Sequence, residues 1–236
     1  MPTVLLVRHG RTTANSSGVL AGWTPGIGLD DTGRQQVARL GANLAELPIA
    51  RIVSSPLQRC QETAAAILAA RSGGEVLTDD RLGECRYGGW TGGKISELAK
   101  DPLWRTVQDH PSAVTFPPSD TFEHESLREM SARAVAAVRE TDAAVQAEHG
   151  ERALWVAVSH GDVIKAVLAD ALGMGLDGFQ RIVAGPASVS AVQYTARRPF
   201  VLRLNESLGQ LHDLVAAPPA SGDATPGGVT GTATED

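Results

Sequence analysis

A short apolar run close to the N-terminus, residues 5–7, ends abruptly in Arg8, His9 and Gly10. The run is too short for a helix of ordinary length, and its unbroken apolar character is typical of a strand that is covered on both faces. The sequence therefore predicts a buried strand that delivers polar side chains at its carboxyl end.

The same alternation of apolar strands and helical patterns continues along most of the chain. Further strands are predicted near residues 51–54, 75–77, 153–158, 188–194 and 200–204, and helices over residues 32–47, 55–71, 125–148 and up to about 172. Strands separated by helices imply right-handed crossovers and a mostly parallel sheet. We therefore expect an α/β fold, a three-layer sandwich in which helices flank a mostly parallel central sheet.

Composition limits the domain organisation and the classes of partner. The chain of 236 residues is 42% hydrophobic, enough for one sizeable core over residues 1–215, whereas residues 216–236 are rich in Pro, Gly, Ala, Ser and Thr and are predicted to be a disordered tail. The net charge of −6 argues against general attraction to nucleic acid or to an anionic membrane. No signal segment or membrane span is recognisable, so we expect a soluble cytoplasmic protein.

Two of the predicted strands end in a histidine followed by a glycine, at His9 and at His160. Because the carboxyl ends of parallel strands face one crevice, these two histidines are expected to meet there. Arg59 lies near the start of the helix that follows another strand, so its guanidinium group and Arg8 can surround one anion. The pattern predicts a phosphate site in an otherwise acidic protein.

Four separated segments carry a resemblance to a known family. Residues 8–15, RHGRTTAN, and residues 54–63, SSPLQRCQET, resemble the first-histidine and arginine motifs of the histidine phosphatase superfamily. Residues 82–92, LGECRYGGWTG, are similar to its acidic segment, and residues 158–161, VSHG, to its second-histidine motif. The resemblance covers residues 3–205 and implies a phosphoglycerate mutase-like fold.

The resemblance also implies a mechanism. His9 would attack phosphorus and form a phosphohistidine, and Glu84 would protonate the leaving oxygen and later take a proton from water. The phosphoryl oxygens would be held by a further set of residues: Arg8, Asn15, Arg59, His160 and Gly161. Neither a metal nor a cofactor is expected, because arginine and histidine supply the positive charge. The expected partner is a small phosphoester substrate, and a homodimer is an alternative to a monomer.

Phosphatase and mutase activities are both compatible with this resemblance. Gly22, Tyr87 and Lys94 are similar to positions that bind the substrate in cofactor-dependent phosphoglycerate mutases, whereas Arg105 is followed by Thr106 in place of a second arginine. Losing one cation of a paired clamp favours a metal-independent phosphomonoesterase of the acid phosphatase type. A third alternative is a non-catalytic module that binds phosphorylated ligands, and Glu84 argues against it because binding alone needs no proton donor.

Overall fold

The computed structural model describes residues 1–71, 73–207 and 225–227, so most of the predicted disordered tail lies outside the described residues. The described chain forms one six-stranded sheet in the order β3-β2-β4-β1-β5-β6. The strands are β1 (Thr3–Arg8), β2 (Ile49–Ser54), β3 (Val76–Thr78), β4 (Leu154–Ser159), β5 (Val189–Tyr194) and β6 (Pro199–Glu206). Among these strands β5 alone runs against the others, so the predicted mostly parallel sheet is confirmed.

The helices lie on both faces of this sheet or in the loops that leave it. They are α1 (Thr13–Ser16), α2 (Asp31–Leu44), α3 (Gln58–Ala69), α4 (Ile95–Leu98), α5 (Pro102–Asp109), α6 (Leu127–His149) and α7 (Gly161–Ala171). Short 3₁₀ helices lie at Asp80–Leu82 after β3, at Gly88–Trp90 before α4, at Pro111–Ala113 after α5 and at Leu176–Arg181 after α7. Within the described residues, no helix combines the length and the apolar character needed to cross a bilayer.

Alternate residues of β1 face two separate cores, as its unbroken apolar run predicts. Val4 and Leu6 pack with apolar side chains of α6 and α7 on one face, and Leu5 and Val7 pack with those of α2 and α3 on the other. A strand covered on both faces needs apolar residues at every position, because successive side chains point to opposite sides. The result is the predicted three-layer α/β/α sandwich.

The predicted start of α3 is wrong by about two residues. Ser55 and Pro56 are predicted as the N-cap and first turn, whereas the helix begins at Gln58 with Leu57 at the N-cap position. The hydroxyl of Ser55 lies 2.7 Å from Nε2 of His160, so its nearest polar partner is a side chain on a neighbouring strand end. Arg59 still falls in the first helical turn, as expected.

The register of the parallel strands sets the position of the functional site. Arg8 at the end of β1 pairs with Ser159 at the end of β4, and Ser54 at the end of β2 pairs with Val158. The three strands therefore end at the same level and on the same edge of the sheet. Polar residues that directly follow the three strands are placed side by side without any help from the loops.

Candidate active site

His9 and His160 meet at the carboxyl edge of the sheet. Their ring centroids are 5.2 Å apart in an edge-to-face arrangement, and both side chains are buried. Each histidine directly follows a strand, β1 or β4, and the two strands are hydrogen-bonded neighbours. Their separation is therefore fixed by the sheet rather than by flexible loops.

Hydrogen bonding and charge define the protonation of His9. Its Nδ1 donates to the carbonyl oxygen of Gly10 at 2.8 Å, which leaves the lone pair of the neutral ring on Nε2. Burial, followed by the positive charges of Arg59 and Arg8, lowers the pKa of His9 well below its ordinary value. The ring is therefore a neutral imidazole at physiological pH, the form that can act as a nucleophile.

His160 is held between a hydroxyl and a carboxyl group. Its Nε2 lies 2.7 Å from the hydroxyl of Ser55, and its Nδ1 lies 3.7 Å from Oε2 of Glu84. Burial, then the positive charge of Arg59, lowers the pKa of His160 well below its usual range. The sequence predicts Ser55 as a helix cap, and its contact with His160 was not predicted, although Ser55 stands directly after β2 at the same edge.

Two buried guanidinium groups face the same pocket as the histidines. Arg8 donates to the carbonyl oxygens of Ala184 at 2.7 Å and Gly227 at 2.9 Å, and Arg59 donates to that of Gly22 at 2.9 Å. Burial lowers the pKa of Arg8 to about 10, which still leaves it protonated at neutral pH. Backbone carbonyls therefore orient both side chains.

Thr63 joins the end of β1 to the first turn of α3. Its hydroxyl accepts from the backbone N–H of Gly10 at 3.1 Å and donates to the carbonyl oxygen of Arg59 at 2.7 Å. One buried side chain thus fixes the backbone next to His9 relative to the backbone of Arg59. Thr63 is the last residue of the SSPLQRCQET motif, from which the sequence predicts no individual role for it.

Glu84 lies opposite His9 in the loop before the Gly88–Trp90 turn, and its side chain is buried. Burial and the neighbouring Asp162 carboxylate raise the pKa of Glu84 to about 7, against the opposing effects of Arg59 and Arg8. A carboxyl group with this pKa holds a proton in a large fraction of molecules near neutral pH. It can therefore donate a proton or accept one.

Arg133, on α6, braces the loop that carries Glu84 and was not predicted from the sequence. Its guanidinium group donates to the backbone carbonyls of Arg81, Gly83 and Glu84 at 2.6, 2.9 and 3.0 Å. It also forms an ion pair with the buried carboxylate of Glu125 at 2.6 Å. Five donors in a planar fork suit arginine to this role, and lysine could not make the same set of bonds.

The comparisons with known proteins agree with this geometry. A sequence profile described as histidine phosphatase superfamily (branch 1) matches residues 4–207. The chain is 30% identical over 207 residues to phosphoserine phosphatase 1 of Hydrogenobacter thermophilus, covering 87% of this chain and 92% of that protein. It is also 30% identical over 196 residues to the probable phosphoglycerate mutase GpmB of Erwinia tasmaniensis, covering 82% and 86%. The chain belongs to the histidine phosphatase superfamily.

Further similarities define the fold and the extent of the match. A phosphoserine phosphatase of Entamoeba histolytica, solved in complex with 3-phosphoglyceric acid, has a TM-score of 0.74 at 25% identity, covering 88% of this chain and 98% of that one. A bifunctional protein of Mycobacterium tuberculosis is 33% identical over 213 residues, 88% of this chain, which spans about half (54%) of that protein's length. Membership in the superfamily supports an enzyme of the phosphatase or mutase type.

The remaining residues predicted from the superfamily resemblance are only partly gathered at the pocket. Asn15 lines it, with its side-chain oxygen accepting from the N–H and hydroxyl of Thr12 at 3.0 and 2.9 Å. Gly161 is buried as the first residue of α7, and Tyr87 is buried behind the pocket. Lys94 is exposed and is not among the residues that line the pocket.

Gly22 occupies a conformation that other residues rarely adopt. Its φ is +49°, and a Cβ atom there would lie 2.9 Å from the hydroxyl oxygen of Thr91. A side chain at this position would be strained and crowded at once, and the carbonyl that receives Arg59 would shift. The positive φ and the crowding explain why a glycine occupies position 22.

A short turn, residues 225–227, fills the pocket of this histidine phosphatase. Thr225, Pro226 and Gly227 line it together with His9, and the cavity that remains measures about 20 Å³, room for about one water molecule. The carbonyl oxygen of Gly227 accepts from Arg8, and its N–H donates to Oδ2 of Asp162 at 2.9 Å. The turn thus occupies most of the space between Arg8, His9 and Asp162.

The described residues of this histidine phosphatase contain no group of three or more His, Cys, Asp and Glu side chains arranged to hold a metal ion. Glu123 and Glu125, near the start of α6, instead pair with arginines. Arg86 lies 2.7 Å from Glu123, and Arg133 holds Glu125. These acidic residues therefore stabilise the loop that faces the pocket.

Replacing Arg133 by Ala is expected to reduce the free energy of unfolding by about 3 kcal/mol, because it removes the close ion-pair partner of the buried Glu125 carboxylate and leaves only Arg86, at 3.8 Å, as a cation beside it. Urea denaturation followed by circular dichroism measures the effect. The matched control is Lys100→Ala, which removes an exposed ion pair with Glu97 and should cost less than about 1 kcal/mol. Equal losses in the two variants would contradict the role given to Arg133.

Replacing Gly227 by Ala is expected to tighten the binding of inorganic phosphate. Gly227 has a φ of +77°, and the left-handed conformation costs a residue with a Cβ about 1–2 kcal/mol, so phosphate Kd should fall roughly 5- to 30-fold as the turn is released. Gly173→Ala is the control, because Gly173 has a φ of +66° and a Cβ there would contact nothing within 4 Å. Isothermal titration gives both constants. Unchanged affinity in Gly227→Ala would show that the turn does not compete with phosphate.

Proposed function

We propose that this protein is a metal-independent phosphomonoesterase that acts through a phosphohistidine intermediate on a small phosphorylated metabolite. The observation that carries the proposal is the pairing of a neutral His9 with Glu84, whose pKa is about 7, across a pocket that holds two buried arginines. The first step of ester cleavage requires an unprotonated nucleophilic nitrogen and an acid that can donate a proton.

In the first step, Nε2 of His9 attacks phosphorus and a P–N bond forms as the P–O bond to the organic group breaks. Glu84 gives its proton to the departing oxygen. Arg8 and Arg59 neutralise the charge on the non-bridging oxygens, which His160 helps to hold. The fixed positions of these groups mean that little reorganisation is needed as that charge develops. Asn15 and the N–H of Gly161 complete the proposed oxygen-binding set.

In the second step, a water molecule attacks the phosphohistidine. Glu84, now a carboxylate, takes a proton from the water, the P–N bond breaks, and inorganic phosphate and neutral His9 are restored. The same carboxyl group serves as acid and then as base because its pKa lies near the working pH. The proton and the electron pairs therefore return to their starting places after each turnover.

A phosphoglycerate mutase-type transferase is the second candidate, and the similarity to GpmB favours it. Its two expected substrate-binding cations are poorly placed for that role. Lys94 is exposed outside the pocket lining, and Arg105 is exposed and paired with Asp109 on its own helix at 2.6 Å. These positions favour the phosphatase, because a clamp for a second anionic group is not assembled at the pocket.

The His9→Ala variant is expected to lose more than about 99% of phosphomonoesterase activity, because the covalent route needs this ring nitrogen. Wild-type activity should persist in EDTA. Phosphate release from p-nitrophenyl phosphate and from alkyl phosphates measures both effects, and His149→Ala, at the exposed end of α6, is the control. Full activity in His9→Ala would overturn the mechanism. Conversion of 3-phosphoglycerate to 2-phosphoglycerate with a bisphosphate primer, faster than phosphate release, would identify a mutase.

The pH dependence should report the protonation of Glu84. Its raised pKa means that the acid form is present below about pH 7 and is lost above it, so kcat/KM for an alkyl phosphate should fall about tenfold per pH unit above that value. Glu84→Gln should remove this limb and lower kcat by about 10²–10⁴, with a smaller loss for p-nitrophenyl phosphate, whose leaving group needs less protonation. Glu97→Gln, at an exposed position, is the control. An unchanged limb in Glu84→Gln would assign it to another group.

A further inference from the structure

Asp162 is buried beside the pocket, and the proposed reaction gives it no step. It follows Gly161 at the start of α7 and is 1% exposed. Its Oδ1 accepts from Lys165 at 3.1 Å, and its Oδ2 accepts from the hydroxyl of Tyr87 at 2.8 Å and from the N–H of Gly227 at 2.9 Å. The first two donors belong to the folded domain, whereas the third reaches Asp162 from the pocket.

Gly227 behaves as an internal ligand with two recognition elements. Its carbonyl oxygen accepts from Arg8, which the proposed reaction assigns to a phosphoryl oxygen, while its own N–H donates to Asp162. The donor and acceptor atoms of one residue are separated by only three bonds. The pocket therefore accommodates an acceptor oxygen at Arg8 and a hydrogen-bond donor a few ångströms away at Asp162.

The surroundings of Gly227 place its donor on the leaving-group side of the pocket. A Cβ at Gly227 would lie 3.7 Å from the Tyr87 hydroxyl and 3.8 Å from Oε2 of Glu84. Glu84 is the proposed proton donor to the departing oxygen, so the organic part of a substrate must pass this point. A group attached close to the ester oxygen would come within reach of Asp162.

The charge balance at Asp162 favours a neutral donor. The side chains of Lys165 and Asp162 are 3% and 2% exposed, so both are buried. Lys165 also donates to Gln180 and lies 4.4 Å from the ring centre of Phe179. The ammonium group of Lys165 and the guanidinium group of Arg8 already offset the charge of Asp162. A hydroxyl or amide N–H can donate to Oδ2 of Asp162 in place of Gly227 without adding a third cation.

We propose that Asp162 is a specificity-determining residue that accepts a hydrogen bond from a hydroxyl or amide N–H close to the phosphorylated atom of the substrate. This inference rests on the proposed phosphomonoesterase function, because it concerns the organic group of the same substrate. The substrate class is thus a phosphomonoester with a neutral donor on the carbon next to the ester carbon, such as a polyol phosphate. Esters that lack this donor leave Asp162 without a partner in the pocket, which disfavours their binding.

Three small esters test the inference on the wild-type protein. They are 2-hydroxyethyl phosphate, n-propyl phosphate, in which a methyl group replaces the hydroxyl, and 2-methoxyethyl phosphate, which keeps the oxygen but has no donor. The expected kcat/KM for the hydroxyethyl ester is about tenfold or more above both others. Values within about threefold would overturn the inference. A higher value for 2-aminoethyl phosphate than for the hydroxyethyl ester would overturn the neutral-donor assignment.

The Asp162→Asn variant assigns the preference to this side chain. Lys165 can only donate, so the new amide oxygen should turn to it and present the NH₂ group to the pocket, where it cannot accept from a hydroxyl. The preference for the hydroxyethyl ester should shrink to within about threefold. All three esters should be hydrolysed more slowly, because loss of the Asp162 charge lowers the pKa of Glu84, so the ratio among the esters is the measured quantity. Asp142→Asn is the matched control, because Asp142 is a buried carboxylate that accepts from Trp155 at 2.9 Å away from the pocket. A full preference in Asp162→Asn would overturn the role of Asp162.

The outcomes separate this inference from the proposed function. Hydrolysis of n-propyl and p-nitrophenyl phosphates that depends on His9 supports the phosphomonoesterase, whatever the preference among the three esters. A lack of phosphate release from every ester overturns both proposals together. If Asp162→Asn does not fold, the ratio among the three esters on the wild-type protein still decides whether a donor is recognised.

Discussion

Two buried guanidinium groups, Arg8 and Arg59, govern the chemistry of everything around them. A charge taken out of water is costly unless hydrogen bonds or an opposite charge compensate it. Backbone carbonyls of Ala184, Gly227 and Gly22 accept from these arginines. The carboxyl groups of Glu84 and Asp162 also act on Arg8 and offset part of the cost of burying it. The fold therefore supplies the free energy to hold two cations together, and the proposed function uses them to bind a phosphate ester.

Burial at the same place sets the protonation states of the two groups proposed to do the chemistry. His9 is buried beside the arginines, which keep its ring neutral, while burial and Asp162 raise the pKa of Glu84 to about 7. Burial acts on both groups, but it favours the uncharged form of each, a free base in one case and an acid in the other. A nucleophile and a proton donor thus coexist at one pH because one low-dielectric pocket encloses them. The loop that Arg133 holds in place keeps Glu84 inside this pocket.

The strand ends were predictable from the sequence because burial on both faces leaves a clear pattern. The apolar runs before His9 and His160 predict neighbouring parallel strands, and that alone brings the two rings together. The contacts of Arg133 were not predictable, because they depend on where α6 crosses the Glu84 loop, and helical periodicity does not encode that crossing. The start of α3 was misplaced for a related reason. Ser55 looks like a helix cap locally, but its hydroxyl lies beside His160, a partner 105 positions away.

The turn at residues 225–227 makes contacts that composition alone does not predict. Residues 216–236 contain little that could enter an apolar core, and from that viewpoint nothing in them should pack against the domain. The pocket, however, is polar, and a backbone N–H and carbonyl are what Asp162 and Arg8 can bind. Glycine permits the positive φ that aims both groups inward, and proline before it restricts the unbound chain. The pocket proposed to bind an oxyanion and a nearby donor accepts a peptide unit, because a peptide unit presents the same pair of groups.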